Sequence, residues 1–132
     1  MKIAFDHQIF ASQKYGGISR YFAEIARHMP CVSNDQLDLK VIAPFYKNNY
    51  LLFERSKSKV VGVKAPDISN ISWLYRYLNN YLSSYFFNAF GPDVIHETYY
   101  SKGVIGSTRA KRVITVYDMI HERFPEFVQN SM

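Results

Sequence analysis

Short apolar runs and longer stretches with helical spacing alternate along this chain. Five short runs rich in apolar and β-branched residues predict strands, over residues 2–5, 37–43, 59–63, 93–96 and 112–117. Apolar residues spaced three or four apart predict one helix that starts at Ile18 and is ended by Pro30, and a longer one over 69–90. Because strands and helices alternate, we expect an α/β fold: a Rossmann-like three-layer domain with a mostly parallel sheet.

The segment 6–17, between the first predicted strand and the first predicted helix, is polar and ends in the pair Gly16-Gly17, which predicts a loop. A glycine pair that opens a helix suits an anion, because glycine lets a phosphate approach the backbone amides at the start of the helix. A simple turn is the alternative. Neither G-x-G-x-x-G nor Walker spacing is present, which argues against the dinucleotide-binding and P-loop families.

The longer predicted helix is rich in large aromatic residues, namely Trp73, Tyr75, Tyr77, Tyr81 and Tyr85. Their helical spacing favours packing in the core or against a partner helix. Stacking of these rings on sugars or bases is the alternative.

Composition narrows the class of protein. The chain has 132 residues, of which 48% are hydrophobic and 17% aromatic, so we expect one globular domain over residues 1–132 and exclude a disordered or fibrous chain. The single cysteine, Cys31, excludes an internal disulfide, and Asp6 interrupts the apolar stretch that a secretory signal needs. No apolar run reaches about eighteen residues, so we expect a cytoplasmic protein without a membrane span.

The net charge of +5 is concentrated between residues 41 and 66. One acidic residue there, Glu54, accompanies five basic ones, which are Lys47, Arg55, Lys57, Lys59 and Lys64. Solvation of a loop and an edge strand explains these lysines most simply, and peripheral contact with the inner face of a membrane is an alternative. We expect no nucleic-acid partner, because the aromatic residues follow helical spacing and do not interleave with the lysines.

Polar residues follow three of the predicted strands, at the edge where open parallel sheets bind their ligands. They are Asp6 and His7 after the first strand, His96, Glu97 and Tyr99 at the fourth, and Tyr117, Asp118 and His121 at the fifth. Histidines and carboxylates together supply proton transfer near neutral pH and hydrogen bonds for sugar hydroxyls or phosphate. We expect no metal site, because the chain lacks H-E-x-x-H and clustered cysteines.

Three blocks stand out, formed by residues 1–6 (MKIAFD) with 16–21 (GGISRY), by 92–97 (PDVIHE) and by 113–126 (VITVYDMIHERFPE). In order and spacing they resemble the amino-terminal half of the retaining GT-B glycosyltransferases of family four, a group with many mannosyltransferases. The resemblance covers nearly the whole chain, and the third block is its most specific part.

The resemblance implies transfer of a hexose from a nucleotide-diphosphate sugar to a glycan or lipid-linked acceptor, with retention, in cell-surface polysaccharide biosynthesis. It implies neither a metal nor a cofactor. By the same resemblance, Gly16 and Gly17 reach toward the donor diphosphate. It further assigns acceptor or sugar binding to His96, Glu97, Tyr99 and Tyr117, and catalytic hydrogen bonding or proton transfer to Asp118 and His121. Tyr117 stands where the family often has histidine.

Members of this family continue into a sixth strand and a carboxyl-terminal domain that holds the donor. We therefore expect this chain to be incomplete at its carboxyl-terminal end, to lack the donor-binding domain and to be inactive alone. We also expect the last predicted strand to leave an unpaired sheet edge through which the chain forms a homodimer. The alternative function is a non-catalytic module that binds a carbohydrate or nucleotide, or another protein.

Overall fold

The computed structural model describes residues 1–32, 36–51, 59–66, 72–100 and 109–117. The strands in these ranges are β1 (Lys2–Phe5), β2 (Asp38–Tyr46), β3 (Lys59–Lys64), β4 (Val94–Glu97) and β5 (Lys111–Ile114). The helices are α1 (Gln8–Ser12), α2 (Gly17–Val32) and α3 (Ser72–Phe90).

The five strands form one sheet in the order β3-β2-β1-β4-β5, and every pair of neighbours is parallel. The order reverses between β1 and β4, because the chain first builds the sheet toward β3 and then returns to the other side of β1. Ligands of open α/β sheets bind at the carboxyl ends of the strands beside such a reversal. We call this side of the sheet the carboxyl edge.

Apolar clusters on both faces of the sheet make a three-layer α/β domain, which confirms the predicted fold class. On one face, Phe5 of β1 packs edge-on against Phe22 of α2, with ring centroids 5.4 Å apart. On the other, Ala4 and Ile95 pack against Phe87 of α3. Successive residues of a strand face opposite sides, so β1 supplies both clusters.

Two predictions about the first helices are wrong. The segment predicted as a loop contains α1, because Ile9 and Phe10 are fully buried in the core and their ordering fixes a helical turn. Pro30 does not end α2, which continues to Val32. Only two residues of the helix follow Pro30, and its buried ring adds core contact, so the proline disturbs the helix little at this position.

β2 also extends beyond its predicted end at residue 43, through Pro44 to Tyr46. Its register against β3 shifts between Ile42 and Phe45. There the side chain of Asn79 takes the place of a strand partner: its Oδ1 accepts from the Phe45 N–H at 2.7 Å and its Nδ2 donates to the Phe45 carbonyl at 2.8 Å. A helix side chain thus satisfies the backbone that the proline leaves unpaired.

For most of the aromatic residues of α3, the predicted packing in the core is wrong. Its buried positions are Asn79, Ser83, Phe87 and Phe90. Its most exposed large side chains are Trp73, Tyr77, Tyr81 and Tyr85, each between 66% and 73% accessible. Aromatic residues occur on nearly every side of this helix, so apolar spacing does not indicate which face is buried. The buried face is the one whose Asn79 and Ser83 bond to Phe45 and His7.

Among the described residues, no helix combines the length and the apolar character needed to cross a bilayer.

Candidate functional site

Asp6 ties the ends of β1 and β4 together at the carboxyl edge. Its carboxylate is fully buried, and Oδ1 accepts hydrogen bonds from the backbone N–H groups of Gln8 at 3.2 Å and Thr98 at 3.0 Å, and from the Thr98 hydroxyl. Oδ2 accepts from the Gln8 side-chain amide at 2.6 Å. Four donors satisfy one buried carboxylate, so Asp6 orders the backbone on which the site is built.

His7 links the same edge to α3. Its side chain is buried, and Nδ1 lies 2.9 Å from the hydroxyl oxygen of Ser83. Burial lowers the pKa of His7, while the negative charge of Asp6 and a hydrogen bond with Asn80 partly oppose that shift. At neutral pH this imidazole is therefore neutral and holds α3 against the sheet.

His96, at the end of β4, is half-buried between aromatic rings. Its imidazole meets Phe5 and Phe22 edge-on, with ring centroids 5.3 and 5.1 Å apart. Nε2 lies 2.9 Å from the Thr115 hydroxyl, just beyond β5. Burial lowers the pKa of His96, and the charge of Asp6 raises it by a smaller amount. The ring is therefore a neutral hydrogen-bonding group near pH 7.

Glu97, the next residue, points to the opposite face of the sheet and forms an ion pair with Arg112. Its Oε1 accepts from Nε and from Nη2 of Arg112, each at 2.7 Å. The carboxylate is only 14% exposed. This charge-assisted pair joins β4 to β5, so the negative charge of Glu97 is already matched within the chain.

Tyr117 places a buried hydroxyl on the same face of the sheet as His96. Its ring packs edge-on against Tyr21 and Phe22 of α2, with centroids 5.9 and 6.0 Å away. Its oxygen is buried near the Thr115 side chain. Burial raises the pKa of Tyr117 to about 12, and Thr115 partly opposes that shift. The phenol therefore stays protonated near neutral pH.

Gly16 and Gly17 form the start of α2. The Gly16 carbonyl accepts from the Arg20 N–H and from the Ser19 hydroxyl, each at 3.0 Å. A Cβ on Gly17 would meet nothing within 4 Å, whereas one on Gly16 would lie 2.1 Å from the side-chain oxygen of Gln13. The first turn of α2 carries no acidic side chain, so nothing there competes with an anion for the first backbone amides.

A surface hollow of about 550 Å³ runs from this helix start along α2 and is lined by Gly17, Arg20, Tyr21, Glu24, Ile25 and His28. Tyr21 also contacts Tyr117, so the hollow and the carboxyl edge adjoin through one pair of rings. Tyr99 follows the end of β4 by two residues, and its side chain is 44% exposed. Its backbone carbonyl accepts a hydrogen bond from the Gln8 side chain at 3.1 Å.

The structure thus brings His96 and Tyr117 together beside Phe22, and it directs Glu97 to the other face. Asp118 and His121, the predicted catalytic residues, lie outside the described residues. Within the described ranges, no three His, Cys, Asp or Glu residues gather closely enough to hold a metal ion.

The polar residues that position these groups did not stand out in the sequence. Ser83, Thr115 and Arg112 are the partners of His7, His96 and Glu97 respectively. Ser83 lies on α3, and Arg112 and Thr115 lie in or next to β5. These pairs form only when the chain folds, so no local sequence pattern indicates them.

No family model matches this chain, and neither does any curated protein or solved structure. Its function must therefore be inferred from its strand order, its site geometry and its motifs.

Proposed function

We propose that this chain is the acceptor-side, amino-terminal domain of a retaining GT-B glycosyltransferase that moves a hexose from a nucleotide-diphosphate sugar to a glycan or lipid-linked acceptor, in cell-surface polysaccharide biosynthesis. One observation carries the proposal. The pair Gly16-Gly17 opens α2 after β1, and the polar ends of β4 and β5 adjoin it beside the reversal in strand order. The described parts of the motif blocks, which include residues 113–117 of the third block, support the proposal because they end near one edge of the sheet.

The start of α2 has the chemistry that a diphosphate needs. The backbone amides of a first helical turn carry partial positive charge and point out along the axis. The open space beside Gly17 leaves room for phosphate oxygens, and the exposed Arg20 adds a full positive charge in the same turn. Such a site neutralises a leaving nucleoside diphosphate without a metal ion.

The carboxyl ends of β4 and β5 offer hydrogen bonds to a sugar. Tyr117 holds a protonated hydroxyl at this edge, and His96 holds a neutral imidazole. Aromatic rings around them exclude water from one side of the site. Polar groups held by packed rings bind sugar hydroxyls with little loss of side-chain entropy.

A specific observation favours the second candidate, a module that binds a carbohydrate or nucleotide without transfer. Glu97 is paired with Arg112 and His96 with Thr115, so both groups are engaged in joining strands. A carboxylate already held by two hydrogen bonds from an arginine has little freedom to take a proton from an acceptor hydroxyl. Both candidates share the anion site at α2 and differ in turnover.

The shared anion site is tested by titrating the isotope-labelled chain with inorganic pyrophosphate, UDP-glucose and GDP-mannose while recording backbone amide NMR shifts. We expect saturable shifts at Gly17, Ile18 and Ser19, with dissociation constants of about 1 mM because one domain supplies only part of a site. Shifts confined to other regions, or none at all, would overturn the assignment of the anion site.

Two substitutions of Gly17 distinguish a loss of ligand binding from a loss of folding. Gly17→Asp places a carboxylate in the first turn, which suits the helix but repels a phosphate, so binding should fall at least about tenfold. Gly17→Ala has room in the structure and is the matched control. Transfer of labelled hexose to a lipid extract by the product of the complete reading frame then distinguishes the transferase from the binding module.

A further inference from the structure

The imidazole of His96 is held on the face of the sheet that α2 covers. Phe5 and Phe22 meet the ring edge-on, with interplanar angles of 89° and 90°. Nε2 lies 2.9 Å from the hydroxyl oxygen of Thr115. Among the residues that the structure describes, no group bonds to the other ring nitrogen, Nδ1, and the ring is only half-buried. Packing therefore fixes the plane of the ring, and Thr115 fixes one of its two nitrogens.

Thr115 also lies beside the buried phenol of Tyr117. The two residues are two positions apart just beyond β5, and both contact groups on the face that α2 covers. The Tyr117 ring packs edge-on against Phe22 with an interplanar angle of 82°, and its oxygen is buried. The side chain that acts on this oxygen as a hydrogen-bonding group is that of Thr115. One threonine hydroxyl thus stands between a phenol and an imidazole.

The supply of donors and acceptors fixes the direction of these bonds. Burial raises the pKa of Tyr117 to about 12, so the buried phenol keeps its proton and needs an acceptor for it. The Thr115 oxygen supplies that acceptor within the described part of the chain. Thr115 then donates its own proton to Nε2 of His96. A nitrogen that accepts a hydrogen bond carries no proton, so the neutral ring holds its proton on Nδ1.

The charge around His96 selects the kind of ligand atom that this N–H meets. The buried carboxylate of Asp6 acts on the ring through its negative charge, and the ring itself is neutral at pH 7. An anionic oxygen would therefore be repelled by Asp6 without gaining a positive partner. An uncharged hydroxyl oxygen accepts the hydrogen bond without that cost. The exposed Arg20 lies instead on α2, at the proposed anion site.

We propose that Thr115 and Tyr117 are positioning residues that hold His96 as an N–H donor at Nδ1, and that this donor binds an uncharged hydroxyl oxygen of a sugar. The hydroxyl protons point in one direction, from Tyr117 to Thr115 and from Thr115 to His96. Through Nδ1, His96 is then a donor and neither a base nor a metal ligand. The sugar part of this inference rests on the proposed function, whereas the direction of the hydrogen bonds does not.

The position of the proton is read from the imidazole nitrogen NMR shifts of the isotope-labelled full chain at pH 7.5, without any ligand. Through-bond correlations to the assigned backbone identify the His96 ring among the four histidines of the chain. We expect the shift of a protonated nitrogen at Nδ1 and of an unprotonated one at Nε2. The opposite pattern, or equal populations of the two tautomers, would overturn the inference.

Substitutions of Thr115 separate the effect of its hydroxyl from that of its shape. Thr115→Val keeps the shape and removes the hydroxyl, so the ratio of the Nδ1–H to the Nε2–H tautomer should fall about threefold or more. Thr115→Ser keeps the hydroxyl and is the matched control, which should retain the proton on Nδ1. Tyr117→Phe lets Thr115 accept from Nε2–H, so the same ratio should fall. Circular dichroism checks that the variants fold, and a tautomer unchanged in both Thr115→Val and Tyr117→Phe overturns the positioning role.

Ligand titrations test the sugar part. Methyl glycosides of mannose and glucose, used up to about 100 mM because a single sugar makes few contacts, should shift the His96 ring. Inorganic pyrophosphate should leave that ring unchanged, and the exposed ring of His28 is the control for both. A His96 ring that responds to neither glycoside overturns the sugar assignment, and one that responds to pyrophosphate assigns the donor to a phosphate instead. The proposed function is tested at Gly17, so its failure leaves the tautomer result standing and the two failures are distinguishable.

Discussion

The imidazole Nδ1 of His7 lies 2.9 Å from the hydroxyl oxygen of Ser83, and this buried contact joins the carboxyl edge of the sheet to α3. The two residues are 76 positions apart in the chain. His7 follows the end of β1 by two residues and is next to Asp6, whose carboxylate orders the backbone after β4. Ser83 belongs to α3, whose outer surface carries Trp73, Tyr77, Tyr81 and Tyr85. The contact thus fixes the position of α3 relative to the candidate site.

Acidification should destabilise the fold through His7 and His96. Burial lowers the pKa of both histidines below the ordinary 6.5 in the folded chain. At a pH between the lowered pKa and 6.5, the unfolded chain therefore binds more protons than the folded chain. The free energy of unfolding is therefore fully present above pH 6.5 and declines as the pH falls below it. Urea unfolding at a series of pH values measures the slope.

The His7→Asn variant measures how much His7 contributes to the dependence of the free energy of unfolding on pH. Its amide is uncharged at every pH, so we expect lower stability than the parent at pH 7.5 but a flatter decline toward pH 5. His28→Asn removes a histidine from the exposed surface of α2 and is the control. An unchanged slope in His7→Asn would show that the burial of His7 does not contribute to acid sensitivity.

Removing the Ser83 hydroxyl should cost stability, since Ser83→Ala leaves the buried His7 without that partner. We expect a loss of about 1–2 kcal/mol in the free energy of unfolding. Ser84→Ala is the control, because the Ser84 hydroxyl bonds only the backbone carbonyl of Asn80 near the surface, and its effect should stay within about 0.5 kcal/mol. Equal losses in the two variants would contradict a special role for the buried contact.

Asn79 should matter more than Ser83. Its side chain makes two hydrogen bonds to the backbone of Phe45, next to Pro44 in β2, and Asn79→Ala leaves both part-buried backbone groups without these partners. We expect a loss of about 2–4 kcal/mol, read as a lower urea midpoint. Asn88→Ala, on the exposed side of α3, is the matched control and should change the midpoint little.

Gly62 is the one described glycine on a strand whose position requires it. Its φ is 152° and a Cβ there would lie 1.7 Å from the Ala43 carbonyl oxygen, so Gly62→Ala forces β3 away from β2. We expect a loss of about 2 kcal/mol or more. Gly17→Ala, which meets no atom, provides the comparison in the same thermal melt.

Local patterns in the sequence predict the elements of this fold, whereas contacts between distant residues are not predicted. β1 has its predicted bounds, because the apolar residues Ile3, Ala4 and Phe5 stand between the charged Lys2 and Asp6, and the alternation of elements correctly predicts the parallel sheet. α3 is correct in extent where it is described, but the sequence misassigns its faces. Its orientation follows from the Asn79–Phe45 and Ser83–His7 hydrogen bonds, and pairs formed over such distances have no local pattern.

The candidate site shows the same division. Sequence position after a strand correctly placed His96 and Glu97 at the carboxyl edge. It did not show that they face opposite sides, although their adjacency in a strand requires it. It also gave no sign of Arg112, which neutralises Glu97, because that pairing depends on β5 lying next to β4.

Homodimer formation through a sheet edge stays a prediction, and β5 is the strand that it concerns. Among the described strands, β5 has a neighbour on one side only, and Val113, Ile114 and the following Val116 are 43–57% exposed. Parallel sheets are normally covered on both faces, and an apolar edge strand pairs readily with another chain. Light scattering at tens of micromolar should therefore give about twice the mass of one chain, and a strictly monomeric mass would contradict the prediction. Val113→Lys should shift the equilibrium toward monomer, because a charge on an edge strand opposes pairing, whereas Tyr81→Ser, on the exposed side of α3, should leave it unchanged.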